Sequence, residues 1–273
     1  GTHQPNQRYQ IMLSYQHGYH AGNLADVHKH ALLAWMLAYL TQKDKPLSYL
    51  ETHAGRGLYD LTDAAALKTG EAAKGIAIAA DWFAADHPYR AVLGQIRAKY
   101  GVNAYPGSPL VAAEMLRPVD SIHLAELHPQ EYAALATNMA PYGGVFRQRD
   151  GFEMALSLCP PDPRRGLMLV DPSFEVKTDY DTIPPLLAKV HRKWGVGVLV
   201  LWYPVLTDGP HRLMLHALQD AFPEGLRHEV SFPPARDGHR MVGSGLFVVN
   251  PPYGLQDEGA RLSAMFQQRL MQN

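Results

Sequence analysis

Leu167-Met168-Leu169-Val170-Asp171-Pro172-Ser173-Phe174 is an apolar run that stops on a carboxylate, a proline and an aromatic ring. A short uninterrupted apolar run bounded by turn formers reads as a strand buried on both faces, as in a parallel sheet covered by helices. Similar runs lie on either side: Leu47–Glu51, Ser121–Leu127, Val145–Gln148 and Val196–Tyr203 read as strands beside Leu167–Asp171. Helical patterns at Gln130–Asn138, Gly151–Leu158, Ile183–Trp194 and Arg212–Phe222 separate them. The alternation predicts an α/β fold built from βαβ units around a mostly parallel sheet.

Outward from this centre, Leu24–Leu40 reads as a helix with Asn23 as N-cap and a Lys-Asp-Lys-Pro stop. Leu226–Phe232 and Ser244–Asn250 have no room for a helix between them and predict a terminal antiparallel pair, followed by a last helix over Gln256–Met271. The Ala-rich stretch from about Tyr59 to Arg117 exceeds a normal crossover and is expected to be a helical insertion. Residues 1–11 are polar and aperiodic and are read as a non-native tag or disordered lead, leaving 12–273 as a single domain.

Bulk composition narrows the classes. With 47% hydrophobic and 19% charged residues the chain suits an ordinary globular protein. No apolar run reaches the ~18 residues of a membrane span, and no leader pattern is evident, so a cytoplasmic protein without a membrane partner is expected. Cys159 stands alone, which excludes a disulfide framework and a multi-cysteine zinc site. A net charge of −1 means that any nucleic-acid contact must come from local patches. Arg164-Arg165, Lys189 to Lys193 and Arg236 to Arg240 are candidates, the last being favoured because it falls in a loop.

Ligands of an open parallel sheet bind at the carboxyl ends of its strands. After the first strand comes Glu51-Thr52-His53-Ala54-Gly55-Arg56-Gly57, whose glycines allow close backbone approach or simply a tight turn. After the second comes Glu126, able to accept from ribose hydroxyls or to favour a helix N-terminus. After the third comes Asp150-Gly151, suited to an adenine amino group or to a helix cap. After the fourth comes Asp171-Pro172-Ser173-Phe174. The N6 amine of adenine is a poor nucleophile because its lone pair is delocalised into the ring. A carboxylate and a rigid backbone carbonyl that accept its two hydrogens draw it toward tetrahedral geometry, and a following aromatic can stack on an extruded base. Alone the tetrapeptide would be a strand-to-loop stop; at this position it reads as catalytic. Asn250-Pro251-Pro252-Tyr253 resembles such a motif in letters, but it follows the last strand and is assigned a structural role.

Many separate stretches now point the same way: Met12-Leu13-Ser14-Tyr15, His20-Ala21-Gly22-Asn23, Lys29-His30, Thr52-His53-Ala54-Gly55, Tyr105-Pro106-Gly107-Ser108-Pro109, Glu126-Leu127-His128-Pro129, Asp150-Gly151-Phe152, Lys177-Thr178-Asp179-Tyr180 and Leu201-Trp202-Tyr203-Pro204. In this order, from Met12 to about Pro252, the chain resembles the RlmJ family of bacterial 23S rRNA adenine-N6 methyltransferases. The resemblance implies a class I, Rossmann-like domain with a seven-stranded sheet and an inserted helical subdomain. It implies S-adenosylmethionine as cofactor and 23S rRNA as partner; a monomer without metal is expected. It further implies Asp171 as proton acceptor, with Pro172 and Phe174 beside the base. Lys29, His30, His53, Ser108, Glu126, Asp150, Gly151 and Asp171 would line the cofactor pocket, and Tyr15 and His17 would meet the RNA. The family tetrapeptide is Asp-Pro-Pro-Tyr. Phe174 keeps a stacking face, whereas Ser173 removes one ring's rigidity, so reduced or retuned activity is expected.

A metal held by the histidines of His17 to His30 is disfavoured, since His28 and His30 are spaced to leave a helix on different faces. Cys159 precedes the strand whose end should carry the acceptor site, and no Gly-x-Ser-x-Gly is complete. The alternatives kept are a non-enzymatic nucleic-acid-binding protein linked to use of external DNA, and a DNA adenine-N6 methyltransferase.

Overall fold

The computed structural model describes residues 16–271. The lead 1–11 and Tyr15 lie outside the described residues.

The chain enters through helix α1 (Leu24–Leu40) and strand β1 (Ser48–Glu51), passes β2 (Leu58–Asp60), three short helices, α2 (Pro88–Tyr100), β3 (Ala104–Pro106) and α3 (Ser108–Met115), and then alternates. β4 (Ser121–Ala125), α4 (Pro129–Met139), β5 (Val145–Arg147), α5 (Gly151–Leu158), β6 (Gly166–Val170), α6 (Asp179–Lys193), β7 (Val198–Leu206) and α7 (His211–Ala221) follow. The chain closes with β8 (Leu226–Ser231), β9 (Met241–Val249) and α8 (Leu255–Leu270).

Seven strands form one sheet in the order β5-β4-β1-β6-β7-β9-β8. β1 lies centrally and runs parallel to both β4 and β6. The expected hairpin is present, with a finer arrangement than the sequence predicts: β9 inserts antiparallel between β7 and β8, so β8 takes the edge. β6 is buried along its whole length, as its apolar run requires. Helices cover both faces over two cores, one centred on α1 and the other on Trp194, Met168 and Leu199.

The stretch from 59 to 117 differs from a purely helical insertion. Its helices are framed by a small antiparallel ladder in which Leu58 pairs Pro106 and Asp60 pairs Ala104. Three-residue strands show no legible alternation, which is why a periodicity reading passes over them.

α1 begins as predicted, the Asn23 side chain accepting from the Asp26 N–H. Unlike an ordinary surface helix it buries most of its turns, including Asp26, His28, Lys29 and His30. Each of these polar groups must find a partner inside the protein. Those partners build the site.

Candidate active site

A cleft of about 600 Å³ opens along the carboxyl ends of β1, β4, β6 and β7. It is bordered by Lys29, His30, His53, Ser108, Glu126, Gly151, Asp171, Pro172 and Phe174, all named from the sequence as site residues. His17 also borders it. Asp150 is not on its wall; the Asp150 carboxylate caps α5 by accepting from the N–H groups of Phe152 and Glu153.

Asp171 ends β6. Its Oδ2 accepts from Lys29 Nζ at 2.5 Å, and Lys29 Nζ also lies 3.4 Å from Asp26 Oδ1. Asp171 Oδ1 is buried and has no hydrogen-bond partner among the described residues. Lys29 is 6% exposed; burial opposes its charge, but the Asp171 and Asp26 carboxylates more than offset this and hold its pKa above the ordinary value. Asp26 is the hub of the cluster. It receives the backbone N–H of Gly22 at 3.0 Å and lies 2.7 Å from His17 Nε2. Burial would raise its pKa, yet His17, Lys29 and His30 hold it well below the usual carboxylate range. His17, expected to meet RNA, is therefore tied to the cleft floor in this structure.

Glu126 follows β4. Its two oxygens accept from the Gly55 N–H at 2.9 Å and the His128 N–H at 2.8 Å, while burial pushes its pKa up. The Leu127 N–H also acts on this carboxylate, and of its four lone-pair sites at least one stays open. Ser108 donates to Glu51, a fully buried carboxyl that also receives the Tyr49 hydroxyl. Burial, and next the nearby Asp171 charge, push the Glu51 pKa well up. His30 Nδ1 is 2.8 Å from the Tyr105 hydroxyl, and His53 is fixed by Thr52 Oγ1 at 2.7 Å.

Two glycines have clear reasons. A Cβ on Gly151 would sit 1.9 Å from the Thr52 carbonyl oxygen, so α5 can start against the end of β1 only with glycine there. Gly55 has φ +68°, in the left-handed region.

In the Asp-Pro-Ser-Phe loop, the Ser173 hydroxyl accepts from the Glu175 N–H at 3.3 Å, a local bond that restrains the backbone where a second proline ring is missing. Phe174 adopts φ +60°, a costly conformation for an aromatic residue. Its ring is largely buried against Tyr180, with centroids 4.7 Å apart, and it faces the cleft only in part. The more open aromatic wall is Trp202 on β7, a residue to which the sequence alone assigns no role. Lys29 Nζ lies 5.5 Å from its ring centroid.

The basic clusters separate. Arg165 donates to the Leu40 and Lys45 carbonyls and Lys193 to the Leu156 carbonyl, so both hold the fold together. Gly238, His239 and Arg240 border the cleft, with Arg240 paired to Asp208 at 2.7 Å. Among the described residues no helix is long and apolar enough to cross a membrane.

The buried histidines give a pH prediction. Burial holds the His30 pKa down at about 3 and that of His28 well below the ordinary value. The unfolded chain binds these protons at higher pH than the folded one, so stability falls as pH drops below about 6.5 and continues to fall toward 3. Each such histidine contributes at most about 1.4 kcal/mol per pH unit in that window. Denaturant titrations at pH 7.5 and 5 are expected to show a clear loss at the lower pH, smaller in His30→Gln; equal stabilities would contradict neutral burial.

The central β5-β4-β1-β6-β7 order, the antiparallel β9 and the cleft at the carboxyl edge define a class I, Rossmann-like methyltransferase. Residues 44–273 match the family model described as Ribosomal RNA large subunit methyltransferase D, RlmJ. The chain is 38% identical over 254 residues to Ribosomal RNA large subunit methyltransferase J of Escherichia coli (strain K12), covering 90% of each. It is 37% identical over 255 residues to the protein of that name from Haemophilus influenzae, again covering 90% of each. A crystal structure of a Legionella pneumophila protein superposes with a TM-score of 0.80 at 36% identity, covering 90% of this chain and 94% of that one. The chain belongs to the RlmJ family of ribosomal RNA large subunit methyltransferases.

Proposed function

We propose that the protein methylates the N6 amine of one adenine in 23S rRNA, using S-adenosylmethionine. The observation that carries this reading is the Asp171 carboxylate: one oxygen is held by Lys29 and the other is buried, unpartnered and at the cleft. A buried acceptor without a donor is costly unless a ligand supplies one. The exocyclic amine of adenine is such a donor.

The wall also suits the cofactor. Glu126 has a lone pair left for a ribose hydroxyl, and the Gly55 and Gly151 backbones border the same cleft. S-adenosylmethionine supplies an electrophilic methyl group when bound. Glu126→Gln is expected to weaken cofactor binding by about 10- to 100-fold, the worth of a charge-assisted hydrogen bond. Titration calorimetry measures this, and an unchanged affinity would remove Glu126 from the cofactor site.

The target base lies against the Trp202 ring on the cleft wall, with Phe174 packed beside that ring at 6.3 Å between centroids. Asp171 Oδ1 and the Pro172 carbonyl accept the two N6 hydrogens, localising the lone pair on nitrogen. Methyl transfer leaves N6 cationic, and its proton passes to Asp171 and then to water. Lys29 keeps the carboxylate from turning away.

The test is transfer of labelled methyl from S-adenosylmethionine to 23S rRNA lacking the modification, followed by digestion to nucleosides. Label in N6-methyladenosine is expected. Label confined to another nucleoside, or no transfer at all, would reject the proposal.

A further inference from the structure

The Trp202 indole N–H points away from the cleft and starts a buried chain of hydrogen bonds. Trp202 Nε1 donates to Ser244 Oγ on β9 at 2.8 Å. Ser244 Oγ lies 2.7 Å from His28 Nδ1 on α1, and His28 Nε2 lies 2.9 Å from His228 Nδ1 on β8. His228 Nε2 is 2.7 Å from both the Gly259 carbonyl oxygen and Ser263 Oγ on α8. Ser244 and His28 are wholly buried.

The protons of this chain have one consistent placement. An indole N–H only donates and a carbonyl only accepts. His228 Nε2 therefore carries a hydrogen for Gly259. Burial lowers the pKa of both histidines, so both are neutral near pH 7. A neutral His228 then accepts at Nδ1, which makes His28 Nε2 a donor and His28 Nδ1 an acceptor. The Ser244 hydroxyl must donate to His28, leaving its lone pair for Trp202. Reversing any one link would set two hydrogens or two lone pairs against each other.

We propose that Ser244, His28 and His228 are positioning residues for the target base: their chain fixes the plane of the Trp202 indole, the wall on which the base is aligned. This rests on Trp202 walling the adenine slot, as proposed above. The ring-plane torsion of an aromatic side chain is soft, so packing alone sets it loosely. An in-line attack needs the base plane set closely. A directed N–H anchored through β9 to α1 and α8 supplies that restraint.

The test is a double-variant cycle on kcat/KM for 23S rRNA methylation. Ser244→Ala is expected to lower it about tenfold, the worth of one hydrogen bond, with S-adenosylmethionine affinity unchanged. Trp202→Phe has no N–H to hold, so adding Ser244→Ala to it should cost nothing more. Losses that multiply would overturn the proposal, because Ser244 would then act without the indole. Trp202→Ala with the parent's kcat/KM would overturn both the proposal and the slot assignment beneath it; a defective Trp202→Ala beside a fully active Ser244→Ala would overturn the proposal alone. A measurement on the parent protein guards against a Ser244 variant that does not fold. The Trp202 indole N–H, assigned by its absence in the Trp202→Phe spectrum, should exchange slowly with deuterium; exchange as fast as an exposed indole would overturn the chain.

Discussion

Asp171→Asn is expected to fold like the parent, still bind S-adenosylmethionine and lose about 10²- to 10⁴-fold in kcat, the range for a positioned proton acceptor. The amide is nearly isosteric and can keep a hydrogen bond to Lys29. Its NH₂ group is the damaging part. If the nitrogen faces the cleft, two donors oppose each other at N6; if it faces Lys29, it meets the ammonium. Either arrangement also lacks a group able to take the N6 proton. Single-turnover methyl transfer at saturating cofactor measures the effect. An Asn variant within a few-fold of the parent would remove Asp171 from the chemistry.

The second large effect concerns Lys29, whose ammonium lies 2.5 Å from Asp171 and 3.4 Å from Asp26. Lys29→Met keeps the unbranched apolar stem, one atom shorter, and deletes the charge, leaving two buried carboxylates without a cation between them. Removing one partner of a buried pair costs about 3–5 kcal/mol. Denaturant unfolding is expected to show a loss of that order together with loss of methyl transfer. Much of the cost is the stranded charge and not the lost bond itself. The Lys29→Met/Asp171→Asn double variant should therefore be more stable than Lys29→Met alone. Additive losses would mean that the cluster does not hold the electrostatic balance described.

Much of this arrangement is legible in the sequence because burial on both faces leaves a simple trace. The apolar run before Asp171 and the one before Thr52 mark central strands, and the Asn23 cap with its apolar sequel marks α1. Strand ends then point to Glu126 and Asp171 without further information. The parts that escape have physical reasons. Asp26 sits in the first turn of a helix, where an acid is favoured by the helix dipole, and nothing local betrays its bonds to His17 and Lys29. Trp202 lies in an apolar strand between Leu201 and Tyr203, both wholly buried, and reads as core; strand alternation alone puts it on the other side, partly exposed at the cleft. The left-handed Phe174 and the Ser173 turn depend on loop conformation, which side-chain identity does not specify. Asp150 satisfies two readings at once from sequence, and the structure places its carboxylate on the α5 cap beside the cleft.

A competition in which the enzyme meets two substrates together separates RNA from DNA as the methyl acceptor. Unmodified 23S rRNA and an adenine-containing duplex DNA would be incubated in equal amounts with labelled S-adenosylmethionine, and the products cut into fragments and analysed by mass. One methylated RNA fragment carrying N6-methyladenosine is expected, with the DNA unlabelled. Label in N6-methyldeoxyadenosine, or scattered over many RNA fragments, would contradict it.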